Sequence, residues 1–424
     1  MLDLKFILEN KGLVKKNSQM RNVDIDLDSI EHLALERKKC IYGGDDLRGR
    51  ANKIANEVKN TLDNNRRREL VQEGKQLKEK LNTLEMLAKK YESELRIKLL
   101  SIPNLTHPNA PIGKSDADNK EIKKWGEICE FDFKPKDHIA LGNLLNIIDF
   151  DSGTKTTGNK FYFLKNDGVL LEFALVQYVF EILMEEGFEL HTTPDLARLD
   201  IIESIGFIPR GPEAQIYQIA NEELGLVATA EITLGGMHRD DVFPINKLPA
   251  KLAGISHCFR TEAGAYGKTS KGLYRVHQFT KVEMFIFSLS KDSENMLDHI
   301  LKVEEKIFQG LGIPYRIVDC CTADLGGSAY RKFDIEAWMP ADKKWGEVTS
   351  ASNCTDYQSR RLNIKMRNQT DKKLEFVHTL NGTAIAISRA IIAILENFQE
   401  EDGSVKIPPS LQKWMGKNEI TKFG

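Results

Sequence analysis

A chain of 424 residues is long enough for two domains, each with its own core. The net charge of −2, with 41% hydrophobic and 29% charged residues, excludes a uniformly basic protein, so a nucleic-acid partner would have to be met by locally concentrated charge. The six cysteines form no CxxC pair and no Cys/His cluster at zinc spacing, which argues against zinc and for reduced thiols in a cytoplasmic compartment. The start, MLDLKFILEN, carries early acids and does not read as a signal peptide. No apolar run reaches the ~20 residues that span a bilayer, so no membrane partner is expected.

From Leu27 to Leu100 the chain has few prolines or aromatics. Leu27, Ile30, Ala34, Arg37, Ile41, Gly44, Arg48, Ala51, Ala55, Val58 and Leu62 follow a 3,4 spacing, the seam of a coiled coil. Gly43 and Gly44 predict a soft spot in that helix. A second seam, out of phase with the first, runs Leu70, Gly74, Leu77, Leu81, Leu84, Ala88, Tyr91, Leu95, and Asp63-Asn64-Asn65 marks the turn between them. The span carries 17 Lys and Arg against 13 Asp and Glu, and Arg66, Arg67 and Arg68 sit at its tip. A solvated helix face would also carry charge. Segregating positive charge onto a projecting hairpin is what phosphate binding requires.

Ser101 to Gly113, with three prolines, reads as a linker. Beyond it, Val169–Glu186 predicts an amphipathic helix and Phe188–Thr193 a strand; an ordinary core pair would look the same. Leu226–Glu231 (LVATAE) predicts a short strand. Ser290–Gly310 predicts a helix and Ile313–Val318 a strand.

The stretch from Ala253 to Phe287 predicts strand, loop, strand. Arg260 and Glu262 share a face of the first arm. The loop, Gly264–Gly272, holds three glycines with Lys268 and Lys271. On the second arm Arg275, His277, Phe279, Lys281 and Glu283 alternate with Val276, Gln278, Thr280, Val282 and Met284. The first set combines an anion binder, an aromatic plate and groups that could hold a charged amine. A plain polar-faced hairpin would also alternate. His378–Gln399 predicts a buried helix entered by an Asn381-Gly382 turn, and in it Arg389 stands among small and apolar residues, where a charge needs a partner: a salt bridge or a bound phosphate.

FRTEAG followed by HQFTKVEMF resembles motif 2 of class II aminoacyl-tRNA synthetases, in the form of the seryl-tRNA synthetases of bacterial and organellar type. Phe188–Pro194 with its preceding helix resembles motif 1, and HTLNGTAIAISRAIIAILENFQ resembles motif 3. DLGGSAYRKFDIEAW and EVTSASNCTDYQSRR are similar to further family stretches, with Thr349 and Ala351 where Ser and Cys are expected. Thr229-Ala230-Glu231 matches the family's serine-binding TAE.

The resemblance implies an α+β fold. An antiparallel-sheet catalytic domain would occupy 105–424. A tRNA-binding domain would occupy 1–104, with an antiparallel coiled-coil arm over about 27–100. It implies ATP-dependent attachment of L-serine to tRNA(Ser) by a homodimer through a seryl-adenylate. Arg260 would contact the α-phosphate, Glu262 the adenine amino group, and Phe279 would stack on the base. Arg275 and Arg389 would hold the outer phosphates. Thr261, Val276, Val348 and Thr349 would complete the ATP site. Glu347 and Ser350 would hold Mg²⁺. Glu283 would bind the serine ammonium, Thr229, Glu231 and Thr383 would surround its hydroxyl, and Ala230 would complete the serine site. Arg66, Arg67, Arg68, Lys268 and Lys271 would contact tRNA. Three rival readings are a relative that activates serine without tRNA, which should lose the arm, a non-catalytic RNA-binding module, which should have lost the arginines, and a different class II synthetase, which the TAE motif and the arm disfavour.

Overall fold

The computed structural model describes residues 1–207, 215–262, 271–368 and 372–422. The chain divides into two compact units, Met1–Pro103 and Asn104–Gly424.

The first unit is dominated by two long helices, α1 (Leu27–Asn60) and α2 (Asn64–Ser101). Each starts at an aspartate cap. Asp26 accepts from the Ser29 amide, and Asp63 from the amides of Asn65 and Arg66, which satisfies donors that the helix itself leaves open. At about 1.5 Å per residue α1 extends roughly 50 Å.

The α2 seam is as expected: Leu70, Leu77 and Leu95 are buried. The α1 seam is half wrong. Ile30, Gly44, Ala51 and Val58 are buried or half-buried, but their companions are Leu33, Cys40, Leu47 and Ile54, and of these Leu47, Ala51, Ile54 and Val58 pack with Leu70 and Leu77 of α2. Ile41 and Leu62 are exposed. Both sets keep the 3,4 spacing, and the stronger apolar set wins the buried side. The helix runs through Gly43 and Gly44 without a break. A Cβ at Gly43 would lie 3.1 Å from Leu84 Cδ1, so the glycine pair serves close approach of the two helices.

The second unit is built on an eight-stranded sheet. In chain order its elements are β1 (Lys120–Trp125), α3 (Asp167–Glu185), β2 (Glu189–Thr192), α4 (Glu231–Gly236), β3 (Ala250–Phe259), β4 (Gln278–Ser288), α5 (Ser293–Gly310), β5 (Tyr315–Asp319), β6 (Arg331–Met339), β7 (Lys344–Thr355), β8 (His378–Ala386) and α6 (Ile387–Asn397). The strand order is β1-β5-β6-β7-β8-β4-β3-β2, antiparallel except where β2 meets β3. On one face α3, α5 and α6 bury a continuous core with Val282, Met284 and Ile286 of β4. Side chains of this kind contribute about 1.5–3 kcal/mol each on burial. The other face of β4 divides. Phe285 and Phe287 pack into a second core with α4, while Phe279 and Lys281 open into a cleft.

Three expectations change. LVATAE is not one strand: a short strand ends at Leu226, and Glu231 begins α4. The residues of motif 3 are not one helix, because His378–Ala386 is the strand β8, with Asn381-Gly382 inside it rather than in a turn. The second arm of the motif 2 hairpin starts at Gln278; Gly272–Tyr274 forms a 3-10 turn before it.

Candidate active site

A cleft of about 880 Å³ lies on the sheet face opposite α5, over the central strands β3, β4, β7 and β8. Arg260, at the end of β3, holds its guanidinium 5.3 Å from the ring centre of Phe279 on β4. Arg275 donates from Nη1 to Glu262 Oε2 at 2.7 Å. The Nε atoms of Arg260 and Arg275 are buried and find no hydrogen-bond partner among the described residues. Buried donors are normally satisfied, so two guanidiniums with unspent donors on one cleft mark an anion site. Arg389, in the first turn of α6, also lines the cleft. It donates to the Glu347 carbonyl at 2.9 Å, pairs with the Glu347 carboxylate at 3.2 Å and lies over the Tyr274 ring at 4.7 Å.

Deeper in, Lys281 Nζ and Glu283 Oε2 are 2.5 Å apart, and Thr383 Oγ1 donates to the same Glu283 oxygen at 3.2 Å. Glu231 accepts from Gln358 Nε2 at 2.7 Å and Asn381 Nδ2 at 2.9 Å. Burial, reinforced by the Glu283 charge, pushes the Glu231 carboxyl up to about 7. Glu231 reaches the cleft because Gly254 of β3 lets the TAE segment settle on the sheet. A Cβ there would lie 3.0 Å from Ala230 Cβ and 2.9 Å from Thr193 Cγ2.

Strand β7 contains a bulge. Ile335 pairs with Thr349 but Glu336 pairs with Glu347, which leaves Val348 as an extra residue. In a regular strand residues three apart point to opposite faces; the bulge puts Glu347 and Ser350 on the same one. A carboxylate and a hydroxyl on one face are hard oxygen donors and fit a divalent cation shared with phosphate. Ser350 is engaged with the buried carboxyl of Asp334. Cys320, Asp324 and Asp334 cluster nearby, but Lys332 Nζ stands 3.3 Å from Asp324 and 3.2 Å from Asp334 and supplies the positive charge itself.

Of the residues singled out from sequence, Arg260, Glu262, Arg275, Val276, Phe279, Glu231, Thr383, Glu347, Val348, Thr349 and Arg389 form the cleft wall. Thr229, Ala230 and Glu283 are buried behind it. Thr261 and Ser350 are not part of the wall, and Lys271 is exposed outside it. Lys268 lies outside the described residues. His277 departs from its expected set. Its Nδ1 is 2.8 Å from the Arg260 carbonyl oxygen, and its ring packs beside Phe161, so it ties the hairpin base rather than facing a ligand. Sequence reading missed Tyr274, Lys281, Asn381 and the Leu325–Ala329 wall as site residues. The alternation of β4 already put Lys281 on the Phe279 face; Asn381 carried no signal while the NG pair was read as a turn.

On the first unit Arg66, Arg67 and Arg68 are exposed within the first five residues of α2. Arg67 and Arg68 line a shallow cleft with Gln72 and Lys75.

An antiparallel-dominated sheet carrying three arginines, an aromatic plate and a buried acid in one cleft defines the core of a class II aminoacyl-tRNA synthetase. Residues 216–398 match the family model described as the tRNA synthetase class II core domain (G, H, P, S and T), and residues 1–106 match the seryl-tRNA synthetase N-terminal domain. The chain is 55% identical to the serine–tRNA ligase of Dictyoglomus turgidum over 99% of both chains, and 51% identical to that of Rubrobacter xylanophilus over 99% of both. It superimposes on the seryl-tRNA synthetase of Pyrococcus horikoshii, solved in complex with ATP, with a TM-score of 0.86 and 39% identity over 99% of each chain. The chain belongs to the seryl-tRNA synthetase family.

Proposed function

We propose that this site attaches L-serine to tRNA(Ser) in two ATP-dependent steps, through an enzyme-bound seryl-adenylate. The observation that carries the reading is the pair of buried, unspent Nε donors of Arg260 and Arg275 on a cleft that also holds Phe279 and the Lys281–Glu283 pair. Adenine stacks on Phe279, with the Arg260 guanidinium at the ring on the α-phosphate side. Arg260 neutralises the charge that builds on the α-phosphate as the serine carboxylate attacks. Arg275 and Arg389 hold the outer phosphates. Glu347 and Ser350 would hold a divalent ion, Mg²⁺ in this reading, whose chemistry is to neutralise phosphate charge. No side chain acts as a nucleophile; the residues position and stabilise.

Glu283 takes the serine ammonium, and Thr229, Glu231 and Thr383 surround the hydroxyl. A site that hydrogen-bonds a hydroxyl rejects the substrate lacking it by roughly 10⁴-fold or more. Threonine has the hydroxyl, so its methyl must be excluded by shape.

The arm binds tRNA in this reading. Arg66, Arg67 and Arg68 stand near the positive end of the α2 dipole, which disfavours cations, and among them Arg66 is paired with Glu69 at 3.0 Å. An anionic partner offsets that effect. Lys271, and Lys268 with it, would meet the acceptor end. Exposed Leu170, Phe173 and Met184 on α3 suit a homodimer contact. Among the described residues no helix is long and apolar enough to cross a membrane. All six cysteines are free thiols, which suits a cytoplasmic protein.

The test is serine-dependent ATP–pyrophosphate exchange beside charging of a tRNA with a long variable arm. Both activities are expected. Exchange without charging would point to activation of serine without tRNA, and neither activity would overturn the reading.

A further inference from the structure

His138 and Glu396 form a buried pair with no part in the chemistry above. Both are nearly inaccessible, at 6% and 3%. Glu396 Oε1 lies 3.0 Å from His138 Nδ1 and 3.2 Å from the His138 amide, and Glu396 Oε2 accepts from the Ala341 amide at 3.2 Å. On the other side of the ring the Leu273 amide donates to His138 Nε2 at 3.2 Å. These partners define the tautomer: the proton sits on Nδ1, facing the carboxylate, and Nε2 is a bare acceptor.

Leu273 is the middle residue of the 3-10 turn Gly272–Tyr274, which delivers the chain into Arg275. Gly272 has φ +58, and a Cβ there would fall 2.2 Å from His138 Nε2. The turn is therefore seated directly on the imidazole. Its next residue, Tyr274, carries the ring under Arg389, and Arg389 and Glu396 lie on the same helix, α6. The contacts close a ring: Glu396 to His138, His138 to the turn, the turn to Tyr274, Tyr274 to Arg389, and α6 back to Glu396.

We infer that His138 is a positioning residue for ATP: through Glu396 it latches the Gly272–Tyr274 turn to α6, and so sets the spacing of Arg275 and Arg389 across the cleft. Neither arginine is touched by His138. The effect runs through backbone and ring contacts that have one arrangement when the imidazole accepts from Leu273. The inference rests on the reading of the cleft as an ATP site.

The experiment measures the ATP Kd by titration calorimetry on the full chain, with ATP and serine KM from pyrophosphate exchange alongside and folding checked by thermal melting. The variants are His138→Ala, Gly272→Ala, the double variant and Glu396→Gln. In Glu396→Gln either amide orientation turns an N–H toward an existing N–H, so the pair weakens at constant volume. The ATP Kd should rise about tenfold in His138→Ala and in Gly272→Ala, with serine KM held within about twofold, since a small misplacement of positioning groups is costly. In the double variant the second change should add less than it does alone, because the imidazole that the new Cβ at position 272 would strike is already removed. A part merely needed for folding would lower the melting temperature and move both substrates equally. That pattern, or an unchanged ATP Kd in every folded variant, overturns the latch. Should His138→Ala not fold, Glu396→Gln decides by the same criterion. ATP binding without exchange in the parent protein would overturn the functional reading instead, while the Kd comparison still judges the latch.

Discussion

Lys281 and Glu283 stand two residues apart on β4 with their charges 2.5 Å from each other, and only 7% and 2% of their side chains reach solvent. Removing one partner of such a pair strands a buried charge, which costs roughly 3–5 kcal/mol, whereas replacing both by apolar residues is often neutral. Glu283→Ala should therefore lower stability by roughly that amount in denaturant unfolding. The double change Lys281→Met with Glu283→Leu should recover most of it. Serine-dependent exchange should be lost in both, because the ammonium has no partner. Recovery of exchange in the double variant would exclude Glu283 from serine binding.

Glu231 gives a pH signature. Its carboxyl titrates near 7 in the fold against 4.5 in its ordinary state, raised first by burial and then by the Glu283 charge. Between those values the folded chain holds more protons than the unfolded chain, so stability falls as pH rises from about 4.5 to about 7 and stays reduced above. Glu231→Gln keeps an oxygen for Gln358 and Asn381 but removes the charge. It should gain up to roughly 3 kcal/mol at pH 8 and nothing below about pH 4.5, measured by denaturant unfolding at both pH values. The serine KM should rise about tenfold or more, as a charge-assisted hydrogen bond is lost.

Arg260 is fixed by its own backbone, whose amide donates to the His277 carbonyl at 2.9 Å, and its Nε has no hydrogen-bond partner among the described residues. Arg260→Ala should fold normally and lose about 10²–10³ in the rate of adenylate formation, the usual cost of removing one transition-state charge donor. Single-turnover pyrophosphate release measures this. A rate within about twofold of the parent would remove Arg260 from the site.

The arm makes a separable prediction. Replacing Arg66, Arg67 and Arg68 by alanine, or deleting Asp46 to Leu81, should leave exchange within about twofold and weaken charging. For the alanine variant the salt slope of tRNA binding should fall by about one for each phosphate that is no longer neutralised. An unchanged salt slope would show that these arginines do not touch tRNA.

Sequence by itself determined the arm and many of the side chains that line the cleft. The 3,4 apolar spacing specified two helices, and alternation along β4 put Phe279, Lys281 and Glu283 on one face, because both signals depend only on local periodicity. Which α1 stripe is buried was not local: two stripes share the spacing, and tertiary packing, with α2 for Leu47 and Ile54, buried Leu33, Cys40, Leu47 and Ile54 rather than Ile41 and Leu62. The TAE segment and the NG pair were misread for a similar reason, since strand or helix at short apolar stretches is settled by the neighbours they pair with. Tertiary structure alone decided that Glu347 and Ser350 share a face, because the extra residue at Val348 exists only relative to β6. It alone also joined His138, Leu273 and Glu396, which are more than 120 residues apart in sequence, around one imidazole.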